Sequence, residues 1–333
     1  MALRIGVVGT GVMGAAHADT LTREVGGAEV SVVTDIDLDR ARATADRCGA
    51  RVAEDAQALI HSDDVDAVLV VSHDSTHADL VIESIAAGKP VLCEKPLALT
   101  VEDCRRVVDA EKHAGRRLVS VGFSRRFDEA TVRLRESVRS GAVGVPLLIH
   151  AAHRNVSTYP VGGSASSVHS SAIHEIDQIP WLLDSPIVEV SWHAPRSTAL
   201  LPDRQDPQLI LLRTADGVLS TVEVFVNATY GYEIRCEVVG ERGTVSLAQP
   251  ALVTTSHELA RVQEIDADFR ARFADAYRRE LAAWVTSIRS GTYHPDLADA
   301  VDGLRASIAA HRIVEAIDLP GTTLDVAPGA ADA

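Results

Sequence analysis

Arg4-Ile5-Gly6-Val7-Val8 runs straight into Gly9-Thr10-Gly11-Val12-Met13-Gly14, and Ala15, Ala16, His17, Ala18 and Leu21 follow at spacings that suit a helix. A short apolar run without polar alternation is the mark of a strand buried on both faces of a parallel sheet. Strand, then G-x-G-x-x-G, then helix is the context that gives this glycine pattern a physical meaning. Gly9 allows the tight turn, Gly11 lets backbone come close to a pyrophosphate, and Gly14 lets the helix pack on the strand. The amide groups around Thr10, Val12 and Met13, with the dipole at the helix start, then hold the negative charge.

A second apolar strand, Val30 to Val33, ends just before Asp35. A carboxylate about twenty residues beyond the glycines is placed to bond both ribose hydroxyls of an adenosine. It would also repel a 2′-phosphate. Ile36 brings no positive charge to offset that, and Arg40 and Arg42 belong to the following helix. The expected cofactor is NAD rather than NADP.

The alternation continues along the chain. Asp37 to Cys48 reads as a helix stopped by Gly49. Ala67 to Val71 is a buried strand that delivers Ser72-His73-Asp74-Ser75, and a helix from Thr76 to Ala87 follows, with Gly88 past its end. Val91-Leu92-Cys93 delivers Glu94-Lys95-Pro96, Thr100 with Asp103 caps another helix, and Leu118 to Phe123 is a further strand. This pattern implies an α/β domain over residues 1–122, a doubly wound parallel sheet of the Rossmann type. Ligands bind beyond the carboxyl ends of the strands in such a sheet. Ser72, His73, His77, Glu94 and Lys95 therefore join Gly9, Thr10, Gly11, Val12, Met13, Gly14 and Asp35 as expected cofactor-lining residues.

Residues 123–333 read differently. Asp128 to Arg139 is a helix ended by Gly141, and Leu147 to Arg154 is a strand. A loop with Pro160, Gly162 and Gly163 leads to a helix around Ser170 to Leu183, where Pro180 should remove one hydrogen bond and kink the axis. Strands follow at Ile187 to His193, Leu209 to Arg213, Val218 to Val226, Glu233 to Val239 and Thr244 to Leu247. Turns at Ala215-Asp216-Gly217 and Gly240-Glu241-Arg242-Gly243 make their pairing largely antiparallel. Two long helices, near Phe269 to Ser290 and Leu297 to Ile317, close this C-terminal α+β domain on an open sheet. Val222, Val224 and Val226 line one side of a strand that few helices are available to cover. That side is expected to join copies into a homodimer or homotetramer. The tail after Leu319, rich in Ala, Gly, Pro and Asp, is expected to fray.

The chain has 333 residues, 46% of them hydrophobic, which is enough for two cores. Its net charge of −15 argues against nucleic acid and anionic membranes as partners. No apolar run approaches the ~18 residues that span a bilayer. Strand residues begin at position 4, so no signal peptide is expected, and the scattered Cys48, Cys93, Cys104 and Cys236 suit reduced thiols in the cytoplasm. No His/Cys/Asp cluster has ligand spacing, and His150 and His153 would face opposite ways on a strand, so no metal is expected.

Lys95 directly follows a buried strand and precedes Pro96, which biases it to extended backbone. A lysine aimed from a strand end can hydrogen-bond a substrate oxygen and stabilise charge developing there. His174 lies four residues after Ser170 on one helix face, and histidine suits proton transfer near neutral pH. His153 and Asn155, two apart at a strand end, can face the same side. Ser170 with His174 lacks the G-x-S-x-G elbow of a hydrolase.

Several longer motifs resemble the inositol 2-dehydrogenase branch of the glucose–fructose oxidoreductase, inositol dehydrogenase and MocA family. They are Cys93-Glu94-Lys95-Pro96-Leu97, Val121-Gly122-Phe123 with Arg125-Arg126-Phe127-Asp128, His153-Arg154-Asn155, His174-Glu175-Ile176-Asp177, Asp206-Pro207-Gln208 and Tyr230-Gly231-Tyr232. The resemblance runs from about Leu3 to about Ile317. It implies a soluble, usually oligomeric oxidoreductase that moves a hydride between a nicotinamide and a sugar or polyol carbon. It makes Lys95 and His174 catalytic, and His153, Asn155 and Tyr232 substrate-binding; Tyr230 suits core packing nearly as well.

At one position the chain departs from that pattern: Ser170 stands where inositol dehydrogenases carry aspartate. His169 is a substitute only if its direction, about 100° away on a helix, allows it. Three readings stay open on these residues. The first is NAD-dependent oxidation of a secondary hydroxyl on a myo-inositol-like ring, with Ser170 in the substrate pocket. The second keeps the chemistry but moves it to an amino sugar, anhydrosugar or keto-inositol. The third is a non-catalytic NAD-binding sensor.

Overall fold

The computed structural model describes residues 1–157, 162–248 and 254–326. Pro160 and residues 327–333 of the tail lie outside the described residues. Two compact units are present: Met1–Phe127 with Asp275–Ser307, and Asp128–Ala274 with the chain from Ile308 onward.

The first unit is built on six strands, β1 (Leu3–Val8), β2 (Ala28–Thr34), β3 (Arg51–Val52), β4 (Ala67–Val70), β5 (Val91–Glu94) and β6 (Val119–Gly122). All pair in parallel, in the order β3-β2-β1-β4-β5-β6. The order reverses between β1 and β4, which opens a crevice above their carboxyl ends. The intervening helices are α1 (Val12–Arg23), α2 (Leu38–Cys48), α3 (Ala56–Ile60), α4 (His77–Ala86) and α5 (Val101–Ala114). Their ends follow local chemistry. Asp37 accepts from the amides of Asp39 and Arg40 to start α2, and Gly49 stops it at φ 71°. Thr100 caps α5 through the Asp103 amide, and Gly115 ends it at φ 67°. The edge strand Arg51–Val52 is too short to carry a pattern that sequence reading detects.

Besides the chain up to Phe127, this unit takes in Asp275–Ser307. Leu281, Trp284, Val285 and Leu297 are packed into the same core as Ile5, Val7, Leu69 and Leu92, and Trp284 is completely buried. Apolar burial, not chain order, decides membership.

The second unit contains α6 (Glu129–Arg139), β7 (Pro146–Arg154), α7 (Gly163–Ser167), a five-residue π-helical turn (Val168–Ala172) and α8 (Ile173–Leu183). Then come β8 (Ile187–His193), β9 (Gln208–Thr214), β10 (Leu219–Phe225), β11 (Glu233–Gly240), β12 (Gly243–Ser246) and the hairpin β13 (Thr254–His257) with β14 (Ala260–Gln263). The helices α9 (Phe269–Ser290) and α10 (Ala300–Ile317) and the strand β15 (Thr323–Asp325) complete the described chain. Seven strands form one sheet in the order β12-β11-β7-β10-β9-β8-β15. Only β7 and β10 pair in parallel; the other neighbours are antiparallel. The tail expected to fray thus supplies an edge strand before residue 326, and Pro180 is accommodated within α8.

The two sides of this sheet differ in a way that corrects one expectation. Val222, Val224 and Val226 are buried at 1%, 1% and 0% exposure, so the chain itself covers that face. His153, Ile210, Leu212, Cys236 and Val238 share it. The opposite face presents half-buried Leu148, Leu209, Leu211, Leu219 and Phe225 among charged neighbours.

Candidate active site

The glycine loop fits a dinucleotide for separable physical reasons. Gly9 has φ 92°, and a Cβ there would sit 2.5 Å from the Val71 carbonyl. A Cβ on Gly14 would overlap the Gly9 carbonyl oxygen. Gly11 is different: its φ is −63°, and a Cβ would meet nothing within 4 Å. The chain makes no demand for glycine at position 11, so the open space beside it suits close approach of a ligand. The first intrahelical bond of α1 runs from Ala15 N–H to the Gly11 carbonyl, so the amides of Val12, Met13 and Gly14 project from the helix start.

Asp35 sits at the end of β2 with its side chain 6% exposed. One oxygen accepts from the Thr10 amide (2.7 Å) and hydroxyl (3.1 Å), the other from the Asp37 amide (2.8 Å) and the Arg40 guanidinium (3.1 Å). Burial alone would raise its pKa, but these bonds and the arginine charge outweigh it and hold the carboxyl below its ordinary value. Arg40 therefore reaches Asp35 from the following helix, which sequence reading did not anticipate.

Beyond β4, half-buried Ser72 lies against Gly9 and exposed His73 caps the next turn. His77 is turned inward. It is 1% exposed, with Nδ1 2.8 Å from the Pro96 carbonyl and Nε2 3.1 Å from the Ser72 carbonyl. Glu94 is likewise turned inward: its Oε1 lies 2.7 Å from Nε2 of buried His17, and its Oε2 accepts the Lys95 amide at 3.1 Å. Burial pushes this carboxyl upward, but His17 and Lys95 hold it below its ordinary value. Half-buried Lys95 thus leaves a fixed strand end at the crevice side of the sheet.

The second unit gathers a polar cluster. His153 ends β7 on the covered face and places Nδ1 3.2 Å from Oε2 of Glu175 in α8; both side chains are nearly fully buried. The His153 ring centroid lies 6.1 Å from that of His174 and 6.2 Å, edge-on, from that of Tyr232. Tyr232 is buried against Phe269 and Phe273, whereas Tyr230 is 58% exposed and not a core residue. Asn155 donates its amide to the hydroxyl of Ser171 at 3.1 Å. Its own backbone is pinned by Phe225 and Ala228.

The π-turn changes the local register. Ile173 N–H bonds the Val168 carbonyl five residues back, so a fixed step of 100° per residue does not hold through His169 and Ser170. Ser170 is exposed and Ser171 buried. The motif Asp206-Pro207-Gln208 anchors the preceding helix: Gln208 donates to the Ser164 carbonyl at 3.0 Å and accepts from Trp192 at 2.7 Å. Fully buried Asp206 accepts from Val226 and Asn227.

Sequence reading gave no role to Glu175, Ser171 or His17. Glu175 lay inside a quoted motif, but its partner is 22 residues away on a strand. His17 is an interior position of α1 whose partner is 77 residues on. Neither pairing leaves a local signal. Among the described residues no group of three or more His, Cys, Asp or Glu could hold a metal, and no helix is long and apolar enough to cross a membrane.

Residues 3–123 match the model of the GFO/IDH/MocA oxidoreductase family, NAD-binding Rossmann fold, and residues 131–246 match the GFO/IDH/MocA C-terminal domain. The chain is 48% identical to inositol 2-dehydrogenase 2 of Paenarthrobacter aurescens over 98% of this chain and 99% of that protein. It superposes with a TM-score of 0.93 on myo-inositol dehydrogenase of Lactobacillus casei, solved with NAD(H) and myo-inositol, at 33% identity and covering 98% and 97% of the two chains. Scyllo-inositol dehydrogenase of the same organism, with NAD(H) and scyllo-inositol, gives 0.90 at 25% identity, covering 98% and 99%.

Proposed function

Since the chain belongs to the GFO/IDH/MocA oxidoreductase family, we propose that it is an NAD-dependent dehydrogenase that oxidises a secondary hydroxyl of a cyclic polyol, an inositol, to the ketone. Near-full-length identity to inositol 2-dehydrogenases carries this reading. The loop Gly9–Gly14 and Asp35 would hold the pyrophosphate and adenosine ribose. NAD supplies the hydride acceptor when bound. His174 takes the hydroxyl proton, and Lys95 donates a hydrogen bond to the oxygen as its charge develops. Asn155 and His153 orient the ring hydroxyls, with Glu175 fixing the His153 imidazole through Nδ1, and Tyr232 walls the pocket. The support for these roles is the motif match and the clustering of His153, Glu175, His174 and Tyr232.

We also place the chain in the cytoplasm as a homo-oligomer. The support is its four scattered cysteines, three of them buried, and the half-buried leucines of the open sheet face. A monomeric mass by light scattering at micromolar concentration would exclude that association.

The deciding assay is NADH absorbance with NAD and a panel of myo-inositol, scyllo-inositol, other inositols and hexoses. Turnover on an inositol is expected. NAD binding without turnover on any of them would restore the sensor reading.

A further inference from the structure

Lys95 is flanked by two residues that buried histidines hold from different helices. On one side is Glu94. His17, 2% exposed in α1, bonds Oε1 of Glu94 through Nε2 at 2.7 Å, and Oε2 accepts the Lys95 amide at 3.1 Å. The Tyr277 ring meets the His17 ring edge-on at 5.4 Å. Gly122 leaves room for the carboxyl, since a Cβ there would come within 3.2 Å of it. On the other side is Pro96, whose carbonyl lies 2.8 Å from Nδ1 of His77. The second nitrogen of His77 faces the Ser72 carbonyl.

Burying imidazoles and a carboxylate costs desolvation that an apolar filler avoids. The polar atoms here are aimed at the segment 94–96. The two helices involved also open on the loops expected to hold the cofactor: α1 starts at the glycine loop, and α4 follows Ser72–Thr76.

We propose that His17 and His77 are positioning residues that act through Glu94 and the Pro96 carbonyl to fix Lys95 against the cofactor loops. This rests on the reading of Lys95 as the group that polarises the substrate oxygen. A displacement of about 1 Å at such a group costs on the order of a hundredfold in rate.

The test uses opposite isosteres at the two positions. An asparagine amide nitrogen stands where histidine Nδ1 stood, and a glutamine amide nitrogen where Nε2 stood. At position 77, H77N keeps the bond to Pro96 and most of kcat, whereas H77Q reaches only Ser72 and loses roughly tenfold to a hundredfold. At position 17 the order reverses: H17Q keeps the bond to Glu94, and H17N loses it. NAD affinity changes little in all four.

A second readout needs neither cofactor nor substrate. The chain has only three lysines, Lys89, Lys95 and Lys112. Competitive acetylation across pH, read by mass spectrometry, follows each one. The Lys95 profile shifts in H77Q and H17N and not in H77N and H17Q, while Lys89 and Lys112 stay put. Equal effects of asparagine and glutamine at either position, or an unmoved Lys95 profile in H77Q and H17N, overturn the proposal. If Lys95→Ala retains turnover, the catalytic reading of Lys95 fails, and the acetylation profiles still decide whether the histidines position it.

Discussion

The amide of Asn155 donates to the hydroxyl of Ser171 at 3.1 Å, one residue beyond Ser170. The π-turn Val168–Ala172 separates the two serines by burial: Ser171 is 3% exposed and Ser170 faces outward. Neighbouring serines therefore have different surroundings, one buried and one exposed.

Ser171→Ala should raise KM for the polyol several-fold with a smaller change in kcat. Its loss removes one hydrogen bond, about 1 kcal/mol, that orients Asn155. Steady-state kinetics decide this, and an unchanged KM would detach Ser171 from substrate orientation. Ser170→Asp adds a negative charge four residues before His174. An opposite charge favours imidazolium, so the low-pH limb of the pH–rate profile, where His174 must lose its proton to act as the base, should move to higher pH. If neither that limb nor the substrate ranking moves, position 170 is outside the chemistry.

Lys95→Ala should lower kcat by on the order of 10²–10³ while NAD binding is largely retained, as expected for removing one charged donor to a developing oxyanion. Isothermal titration with NAD and kinetics on the same preparation separate the two effects. Near wild-type turnover would remove Lys95 from the mechanism.

Gly11 and Gly14 should fail in different ways when changed to alanine. Gly14→Ala forces its Cβ into the Gly9 carbonyl and should destabilise the first unit by roughly 1–3 kcal/mol. Gly11→Ala meets no protein atom, so it should cost about 1 kcal/mol at most as a helix cap and still weaken NAD binding strongly. Urea melts and NAD titrations of both variants provide the comparison. Undiminished NAD affinity in Gly11→Ala would mean that the ligand does not approach there.

NAD should bind more tightly than NADP, and Arg40→Ala should widen the preference. Asp35 is held ionised, the Arg40 guanidinium offsets part of its charge, and Asp37 lies 3.3 Å from the same guanidinium. Removing the arginine leaves two carboxylates facing a 2′-phosphate. Dissociation constants for both oxidised cofactors measure this. Tighter NADP binding by the wild type, or a narrower ratio in the variant, contradicts the argument.

Where structure depends on adjacent residues, the sequence alone was enough. The strand–glycine–helix order of residues 4–21, Asp35, the caps at Asp37 and Thr100 and the stops at Gly49 and Gly115 are local, because backbone dihedrals and helix-end amides are satisfied within a few residues. They specify a parallel nucleotide-binding sheet before any tertiary contact is known. Tertiary structure decided what joins distant segments. Packing assigned residues 275–307 to the first core, turned Val222, Val224 and Val226 inward, and drew Arg40 onto Asp35. It also paired His17 with Glu94 and His153 with Glu175. A buried polar group must find a partner wherever the fold brings one, so the identity of that partner is a property of the folded chain and leaves no trace in the spacing of nearby residues.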